Sequence, residues 1–301
     1  MIKITAEDAQ NALELANQAG VDEADFKHLL KNRCVHLNGN FIKKDCELQA
    51  GDILELFVEE ELPELIPAPQ IVYEDENLII FNKPAGIACD YSPDGGRTLM
   101  LLAEEQMRSR GEYNAGLLIL PYLCTPIDQF TGGLVVVAKD ENVFKAACEA
   151  VRQRRLRRFY TGITACSPVR DEAELHSFMT VNNKKDSVKI QDRPGNMAQP
   201  VVTRYRVTSR VGDFCRVEAE PVTSKPHQLR AQFSHMDAPF LGDEDFGYHS
   251  INRKMGLTYE SLWLTRLEFC VGENNILSYL DGRVFECVGM LPELPEEYYS
   301  E

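Results

Sequence analysis

The stretch from Tyr122 to Asp140 places one carboxylate where a catalytic group could act. It reads YLCTPIDQFTGGLVVVAKD, a polar, turn-prone segment that passes into a strand of β-branched residues, with Asp128 at the mouth of the turn. A carboxylate at the end of a loop that feeds a buried strand stands on a rigid support, as catalytic groups often do. Alternatively, Asp128 caps the turn through Thr131 and Gly132. This stretch alone supports both interpretations.

Residues 223–247 could supply a cation to that carboxylate. They read TSKPHQLRAQFSHMDAPFLGDEDFG, which predicts a helix over 226–236 and then a Gly-Asp loop. Arg230 near the helix N-terminus could hold a buried carboxylate bidentately. The alternative is a surface arginine on a helix. We interpret His227 and His235 as packing or helix-surface residues.

An aromatic residue and an arginine cluster stand between these two segments. Tyr160 offers a face of the kind that stacks on an extruded base, or it is an ordinary strand aromatic. The preceding sequence RQRRLRR, residues 152–158, holds five arginines in seven positions. Such a cluster contacts phosphates or forms a solvated helix end.

The hydrophobic patterns predict the elements that position these residues. Helices are predicted over residues 7–19, 22–33, 98–109, 142–155 and 226–236. Strands are predicted in 41–58, 71–86 and 134–139, and over 157–166, 186–191, 201–210, 213–222, 261–270 and 276–288. Because strands outnumber helices without βαβ alternation, the sequence favours an α+β fold with a mixed, mostly antiparallel sheet.

The chain is predicted to contain two domains. Residues 1–58 form a small ααβ domain, residues 59–70 an acidic linker punctuated by prolines, and residues 71–301 the large domain. The first 70 residues contain fourteen acids and six bases, or a charge of −8 out of −15 for the whole chain. This balance argues against a nucleic-acid partner for the small domain, whereas the arginine cluster concentrates positive charge in the large one.

The composition indicates a folded protein and the cellular compartment in which we expect it. The chain has 44% hydrophobic residues, which is ordinary for a folded protein. The sequence contains no apolar run of the roughly 20 residues that span a bilayer, and no secretory leader is visible. Nine cysteines are scattered singly without a CxxC pair. We therefore expect a cytoplasmic protein without disulfides, a zinc site or a membrane partner.

Four segments in register resemble the RluA-type RNA pseudouridine synthases. The family motifs NKPAG, HRLDxxTSGLLLxAK, a K-x-Y strand and TGRTHQIRxHxxxxGxPIxGDxxYG are matched in order between residues 78 and 247. The matching segments are LIIFNKPAG, TPIDQFTGGLVVVAK, RRFYTGI and the segment 223–247 quoted above. The leading domain resembles the RNA-binding domain of ribosomal protein S-four type that often precedes this catalytic domain.

The resemblance implies a role for individual residues. Asp128 matches the catalytic aspartate, Tyr160 the tyrosine against the flipped uridine, and Arg230 the arginine that pairs with the aspartate. Leu262 matches an apolar pocket position. The candidates for contact with the RNA backbone are Arg154, Arg155, Arg157, Arg158 and Lys225. The implied activity is isomerisation of uridines in ribosomal or transfer RNA, by a protein that we expect to be a monomer, with no metal or organic cofactor.

Three residues before the aspartate depart from the family pattern. The chain has Thr125, Pro126 and Ile127 where the family has His, Arg and Leu. Extrusion of a base costs a few kcal/mol, and Pro126 cannot insert into a base stack as an arginine would. The departure, with the acidic small domain, keeps open an alternative: a catalytically silent RNA-binding relative. A third hypothesis is that residues 1–60 form a protein-interaction module.

Overall fold

The structure, a computed structural model, divides into two compact units. One comprises Met1–Pro67 with Asn252–Thr258, and the other Ala68–Ile251 with Tyr259–Glu301. The described residues are 2–31, 33–57, 67–91, 96–182, 187–257, 259–273 and 275–294. Most of the predicted linker, residues 59–66, lies outside them. Its last residue, Gln70, begins a strand.

The small unit packs two helices against short antiparallel strands. Its elements are β1 (Ile2–Thr5), β2 (Gln10–Asn11), α1 (Ala12–Gln18), α2 (Glu23–Lys31), β3 (Val35–Leu37), β4 (Asn40–Phe41), β5 (Glu47–Leu48) and β6 (Ile53–Leu56). The sheet order is β1-β6-β3-β4, and β2 pairs with β5. Apolar residues of both helices, Leu15, Phe26 and Leu29 among them, are buried in one core with Leu54 and Leu56 of the sheet.

The large unit is built on one long sheet. Its strands are β7 (Gln70–Glu74), β8 (Leu78–Lys83), β9 (Ile119–Leu123), β10 (Gly132–Asp140), β11 (Leu156–Thr164), β12 (Glu172–Asn182), β13 (Ser187–Gln191), β14 (Gln199–Val211), β15 (Phe214–Pro221), β16 (Leu262–Phe269) and β17 (Val284–Glu286). The order is β13-β12-β14-β15-β11-β16-β10-β8-β7, with β17 on β16 and β9 on β10. Only β10 and β16 pair in parallel among the described strands. The predicted α+β class with a mixed, mostly antiparallel sheet is confirmed.

Four further helices among the described residues follow the small unit in the chain. They are α3 (Leu99–Ser109), α4 (Glu141–Arg152), α5 (Gln228–His235) and α6 (His249–Met255), with short 3₁₀ turns at Ala115–Leu117 and Ser278–Leu280. Within the described ranges, none of the helices is both long and apolar enough to cross a bilayer.

Strand β10 is buried on both faces, which accounts for its continuous apolar sequence. Val135 and Val137 pack in the same cluster as residues of α3, whereas Val136 and Ala138 pack with residues of α4. Successive side chains of a strand point to opposite faces, so a strand between two helical layers needs apolar residues at every position. The strand that follows Asp128 is therefore a rigid central element.

The helices at 98–109, 142–155 and 226–236 form close to their predicted bounds, but other elements differ. The helix predicted over 7–19 begins only at Ala12, because Asn11 and Glu14 form a capping box, and the unpredicted strand β1 precedes it. Strand β12 was missed because its exposed face carries charged residues. The strand predicted over 276–288 is wrong for most of its length: a 3₁₀ turn and the turn at Gly282, which has a φ of 75°, leave only β17.

Candidate active site

The loop that carries Asp128 is held on both sides of this residue. The carbonyl oxygen of Ile127 accepts a 3.3 Å hydrogen bond from the Cys89 thiol. The carbonyl oxygen of Gln129 accepts a 2.9 Å bond from the Lys83 ammonium, which also donates to two carbonyls of its own turn. Lys83 is fully buried, and burial lowers its pKa to about 8. The Asn-Lys-Pro turn therefore fixes the backbone on which Asp128 stands.

The Thr-Gly-Gly turn lets the loop pass close to strand β16. The amide of Thr131 donates to the Asp128 carbonyl oxygen at 3.2 Å, which closes the turn. A Cβ atom on Gly132 would lie 2.3 Å from the ring of Trp263. One on Gly133 would lie 2.3 Å from a backbone oxygen of β16, and its φ of 117° favours glycine. The main-chain carbonyl of Asp128 thus accepts the hydrogen bond that closes the turn, and its side chain can make other contacts.

Two side chains from the start of helix α5, those of His227 and Arg230, meet on a single oxygen of Asp128. Oδ2 lies 2.8 Å from Nδ1 of His227 and accepts a 3.1 Å bond from Nη1 of Arg230. Among the described residues, none donates a hydrogen bond to the other oxygen, Oδ1. The carboxylate is one-quarter exposed. One oxygen is therefore fixed while the other is available to a ligand.

The surroundings keep Asp128 ionised. Burial raises the pKa of the Asp128 carboxyl, but the hydrogen bond from His227 and the positive charge of Arg230 outweigh it, so that the pKa lies below its ordinary value. The group is consequently a carboxylate at neutral pH. It can act as a nucleophile or a base, or stabilise positive charge that develops nearby.

Arg230 is itself held by further carboxylates. Its Nε and Nη2 atoms donate to the two oxygens of the fully buried Asp243, at 2.7 and 2.8 Å, and Nη2 also contacts Asp245 at 3.1 Å. Burial would lower the pKa of Arg230, but the carboxylates of Glu260 and Asp243 raise it well above its ordinary value. The bidentate fork thus binds Asp243, and only Nη1 reaches Asp128.

A pocket of about 370 Å³ opens beside the carboxylate. Tyr160 and Leu262, both buried, line it together with Asp128 and Arg230. Burial raises the pKa of Tyr160, so the phenol stays neutral. The remaining lining residues are Pro126, Ile127, Thr131, Arg158, Pro221, Ser224, Lys225, Pro226, His227, Gln228 and Leu229. The predicted catalytic and substrate-binding residues therefore lie around one cavity that contains an ionised carboxylate.

Two of the five candidates for RNA-backbone contact lie at this pocket. Arg158 is buried and donates from Nη1 to the Ser224 hydroxyl at 3.2 Å, and Lys225 lines the pocket beside it. Arg154 and Arg155 follow helix α4 and do not line the pocket.

Arg157 faces two acids instead. Its guanidinium binds both oxygens of Glu220, at 2.8 and 3.0 Å, and Glu268 at 2.9 Å. Successive residues of β11 point to opposite faces, which places Arg158 at the pocket and Arg157 away from it.

Thr125, one of the three residues that depart from the family pattern, has a structural role. The buried Thr125 hydroxyl accepts a 2.8 Å bond from the amide of Val136. This bond continues the pairing between β9 and β10 by one residue. Pro126 is exposed and stands at the pocket.

The sequence prediction missed the contact between His227 and Asp128. The sequence predicts a packing or helix-surface residue at His227, but its ring nitrogen lies 2.8 Å from the carboxylate. The contact depends on the left-handed backbone of His227, the residue just before helix α5, which the helix period does not predict. In the part of the chain that the structure describes, no group of three His, Cys, Asp or Glu side chains is arranged to hold a metal ion.

Comparisons with known proteins point to one protein family. The family model described as "RNA pseudouridylate synthase" matches residues 77–235, more than half of the chain. "Ribosomal large subunit pseudouridine synthase C" of Vibrio cholerae is 28% identical over 233 residues, which cover 73% of this chain and 70% of that protein. The protein of the same name from Rickettsia bellii is 27% identical over 188 residues, 62% of this chain and 59% of the relative.

The fold is also shared with a solved structure. "Human RNA Pseudouridylate Synthase Domain Containing 4" superposes with a TM-score of 0.58 at 22% identity, and the match covers 74% of this chain and 88% of the human one. At this identity the likeness concerns the fold alone. On the match over residues 77–235, the chain belongs to the RNA pseudouridylate synthase family of enzymes.

Proposed function

We propose that this chain is an active RNA pseudouridine synthase and that Asp128 is its catalytic residue. The observation that carries the proposal is the asymmetry of the carboxylate. Oδ2 is bound by His227 and Arg230, whereas Oδ1 has no donor among the described residues, and Asp128 lines the pocket. A fixed, ionised carboxylate with one open oxygen is suited to reaction at a sugar carbon.

The reaction is an isomerisation that conserves all atoms. The bond between N1 of uracil and C1′ of ribose breaks, the base rotates, and a bond forms between C5 and C1′. The proton on C5 is lost and N1 gains one. Asp128 would act at C1′, as a nucleophile or by stabilising its positive charge, or would remove a proton.

The other pocket residues would receive the extruded nucleotide. Tyr160 and Leu262 would contact the uracil ring, since flipped bases stack between aromatic and apolar side chains. Arg230 would keep the carboxylate ionised. Arg158 and Lys225 would contact phosphates at the pocket. Arg157 is a weaker candidate for that contact because two glutamates bind its guanidinium.

The names of the relatives suggest the substrate. Because they are named ribosomal large subunit pseudouridine synthases, we propose large-subunit ribosomal RNA as the substrate, with transfer RNA as the alternative. We also propose that the protein acts in the cytoplasm. The small unit resembles a domain of ribosomal protein S-four type in sequence, and with fourteen acids in residues 1–70 we propose that it contributes little to RNA affinity.

A test compares the wild-type chain with Asp128→Asn. Each protein is incubated with total RNA from a host that lacks this chain, and pseudouridine is mapped by chemical labelling. We expect new pseudouridines with the wild type and none with Asp128→Asn. Asp192→Asn, which changes an exposed aspartate, is the matched control and should behave as wild type. Identical maps for the wild type and Asp128→Asn would refute the proposal.

The same experiment distinguishes the second candidate, a catalytically silent RNA-binding relative. Pro126 at the pocket favours this candidate, because it lacks the long cationic side chain of the arginine that the family has at this position. Its signature would be RNA binding that survives Asp128→Asn, with no isomerised uridine for either protein.

A further inference from the structure

His227 adopts a backbone conformation that few residues other than glycine adopt. Its φ is 53° and its ψ 19°, in the left-handed region, at the position before the first residue of helix α5. Histidine is among the side chains that tolerate this region better than most. Even so, strained residues persist only where the surrounding structure determines them, and they cluster at functional sites.

This conformation coincides with a contact to the proposed catalytic group. Nδ1 of His227 lies 2.8 Å from Oδ2 of Asp128 and 3.4 Å from Nη1 of Arg230. Nδ1 cannot donate to the carboxylate and accept from the guanidinium at once. Because Asp128 is ionised, the shorter contact requires a proton on Nδ1, and His227 is the donor.

Arg230 alone does not determine the orientation of the carboxylate. An arginine that binds both oxygens of a carboxylate fixes its plane, but the fork of Arg230 binds Asp243. Only one nitrogen, Nη1, reaches Asp128. A single bond to a single oxygen leaves the carboxylate free to turn about its Cβ–Cγ bond. A second donor from another direction removes this freedom.

We propose that His227 is a positioning residue, which together with Arg230 holds Oδ2 of Asp128 so that Oδ1 is presented to the ribose carbon of the bound uridine. This inference rests on the proposed function. His227 would act through Asp128, with no proton transfer to the substrate. The expected effect of its loss is on the rate of the bound complex, because misplacement of a reacting group by about 1 Å can reduce a rate about a hundredfold.

Three substitutions separate the donor from the backbone strain. His227→Gly removes the donor and relieves the strained conformation. His227→Ala removes the donor and keeps the strain. His227→Asn keeps a nitrogen donor near the position of Nδ1, in a residue that also tolerates the left-handed region. His235→Asn is the matched control, because this histidine of the same helix contacts Asp192 instead.

The measurement is the single-turnover rate of pseudouridine formation in ribosomal RNA from a host that lacks this chain, with KM determined separately. We expect His227→Gly and His227→Ala to lower the rate between about tenfold and a hundredfold, with KM within about twofold of wild type. His227→Asn should recover at least half of that loss on a logarithmic scale. His235→Asn should match the wild type.

The outcomes separate this inference from the proposed function. If His227→Gly retains the wild-type rate, or if His227→Asn is as slow as His227→Gly, the inference fails although the enzyme is active. A change confined to KM would also overturn it. If the wild-type chain forms no pseudouridine, the proposed function fails and the inference fails with it. Thermal unfolding of each variant shows whether a lost rate reflects lost structure.

Discussion

Two arginines of the large unit bind acids in similar ways but in different surroundings. Arg230 binds Asp243 with its fork and reaches Asp128 with its remaining nitrogen, and its side chain is 5% exposed. Arg157 binds Glu220 with its fork and Glu268 with its remaining nitrogen, and is 37% exposed. A solvent-exposed ion pair contributes little to stability. Removing one partner of a buried ion pair, in contrast, leaves an uncompensated charge in the interior.

This difference in exposure shows that ion pairing alone does not identify a functional arginine. Both residues were singled out from the sequence, one as the partner of a catalytic acid and the other as a candidate for phosphate contact. Burial distinguishes them. Because Arg230 is buried, its hydrogen bond and charge help to fix the orientation of the Asp128 carboxylate and to keep it ionised. For Arg157, the same pattern mainly neutralises a surface charge.

The largest expected effect comes from breaking the buried network. Arg230→Met removes the guanidinium that binds both Asp243 and Asp128, and we expect the free energy of unfolding to fall by about 3–5 kcal/mol. Arg157→Met is the matched control and should cost less than about 1 kcal/mol. Urea denaturation measures both. Equal losses for the two variants would show that burial does not separate these arginines.

A smaller effect concerns the pH dependence of stability. The pKa of Asp128 in the folded state lies below its ordinary value. Ionisation of Asp128 therefore stabilises the fold at pH values above the pKa of the unfolded state. This stabilisation is lost as the pH falls through the pKa of the folded state. We expect the wild type to exceed Asp128→Asn in stability by about 1–2 kcal/mol at pH 7. The difference should shrink once pH falls below about 4.

Thermal or urea unfolding between pH 3 and 8 measures this difference. Glu220→Gln, which removes a partner of Arg157, is the control and should change stability by less than about 1 kcal/mol at pH 7. A gap between the wild type and Asp128→Asn that does not change over this range would contradict the prediction.

The smallest effect distinguishes neighbouring arginines of one strand. Arg158→Gln should weaken RNA binding and reduce the slope of affinity against salt concentration by about one, because one phosphate contact is lost. Arg157→Gln should leave the slope unchanged, since glutamates already bind its guanidinium. Fluorescence anisotropy with labelled RNA over a range of salt concentrations measures both slopes. A reduced slope for Arg157→Gln would show that RNA displaces its glutamates.

Much of this arrangement could be predicted because the apolar pattern of one strand and the order of four motifs point to the same site. The strand after Asp128 is apolar at every position, which indicated a central strand covered on both faces. Order and spacing of four motifs indicated that Asp128, Tyr160 and Arg230 belong together. The Thr-Gly-Gly sequence predicts a turn at Gly132 and Gly133, but it does not reveal that their close approach to strand β16 requires glycine.

Other features depend on tertiary contacts that no local pattern reveals. The role of the Thr125 hydroxyl depends on the amide of Val136, eleven residues away. The contact of His227 depends on a left-handed backbone that is unusual for a residue just before a helix. The partners of Arg157 come from strands β15 and β16, far along the chain. Periodicity identifies elements, but it does not identify the partner across a sheet.

The close packing of Trp263 on Gly132 has a spectroscopic consequence. Trp263 is the single tryptophan of the chain, it is buried, and its ring lies against the loop four residues after Asp128. Its ultraviolet emission therefore comes from one chromophore packed on the turn that follows the proposed catalytic carboxylate. Any displacement of that loop on addition of RNA should be visible as a change in intrinsic fluorescence, without an introduced label.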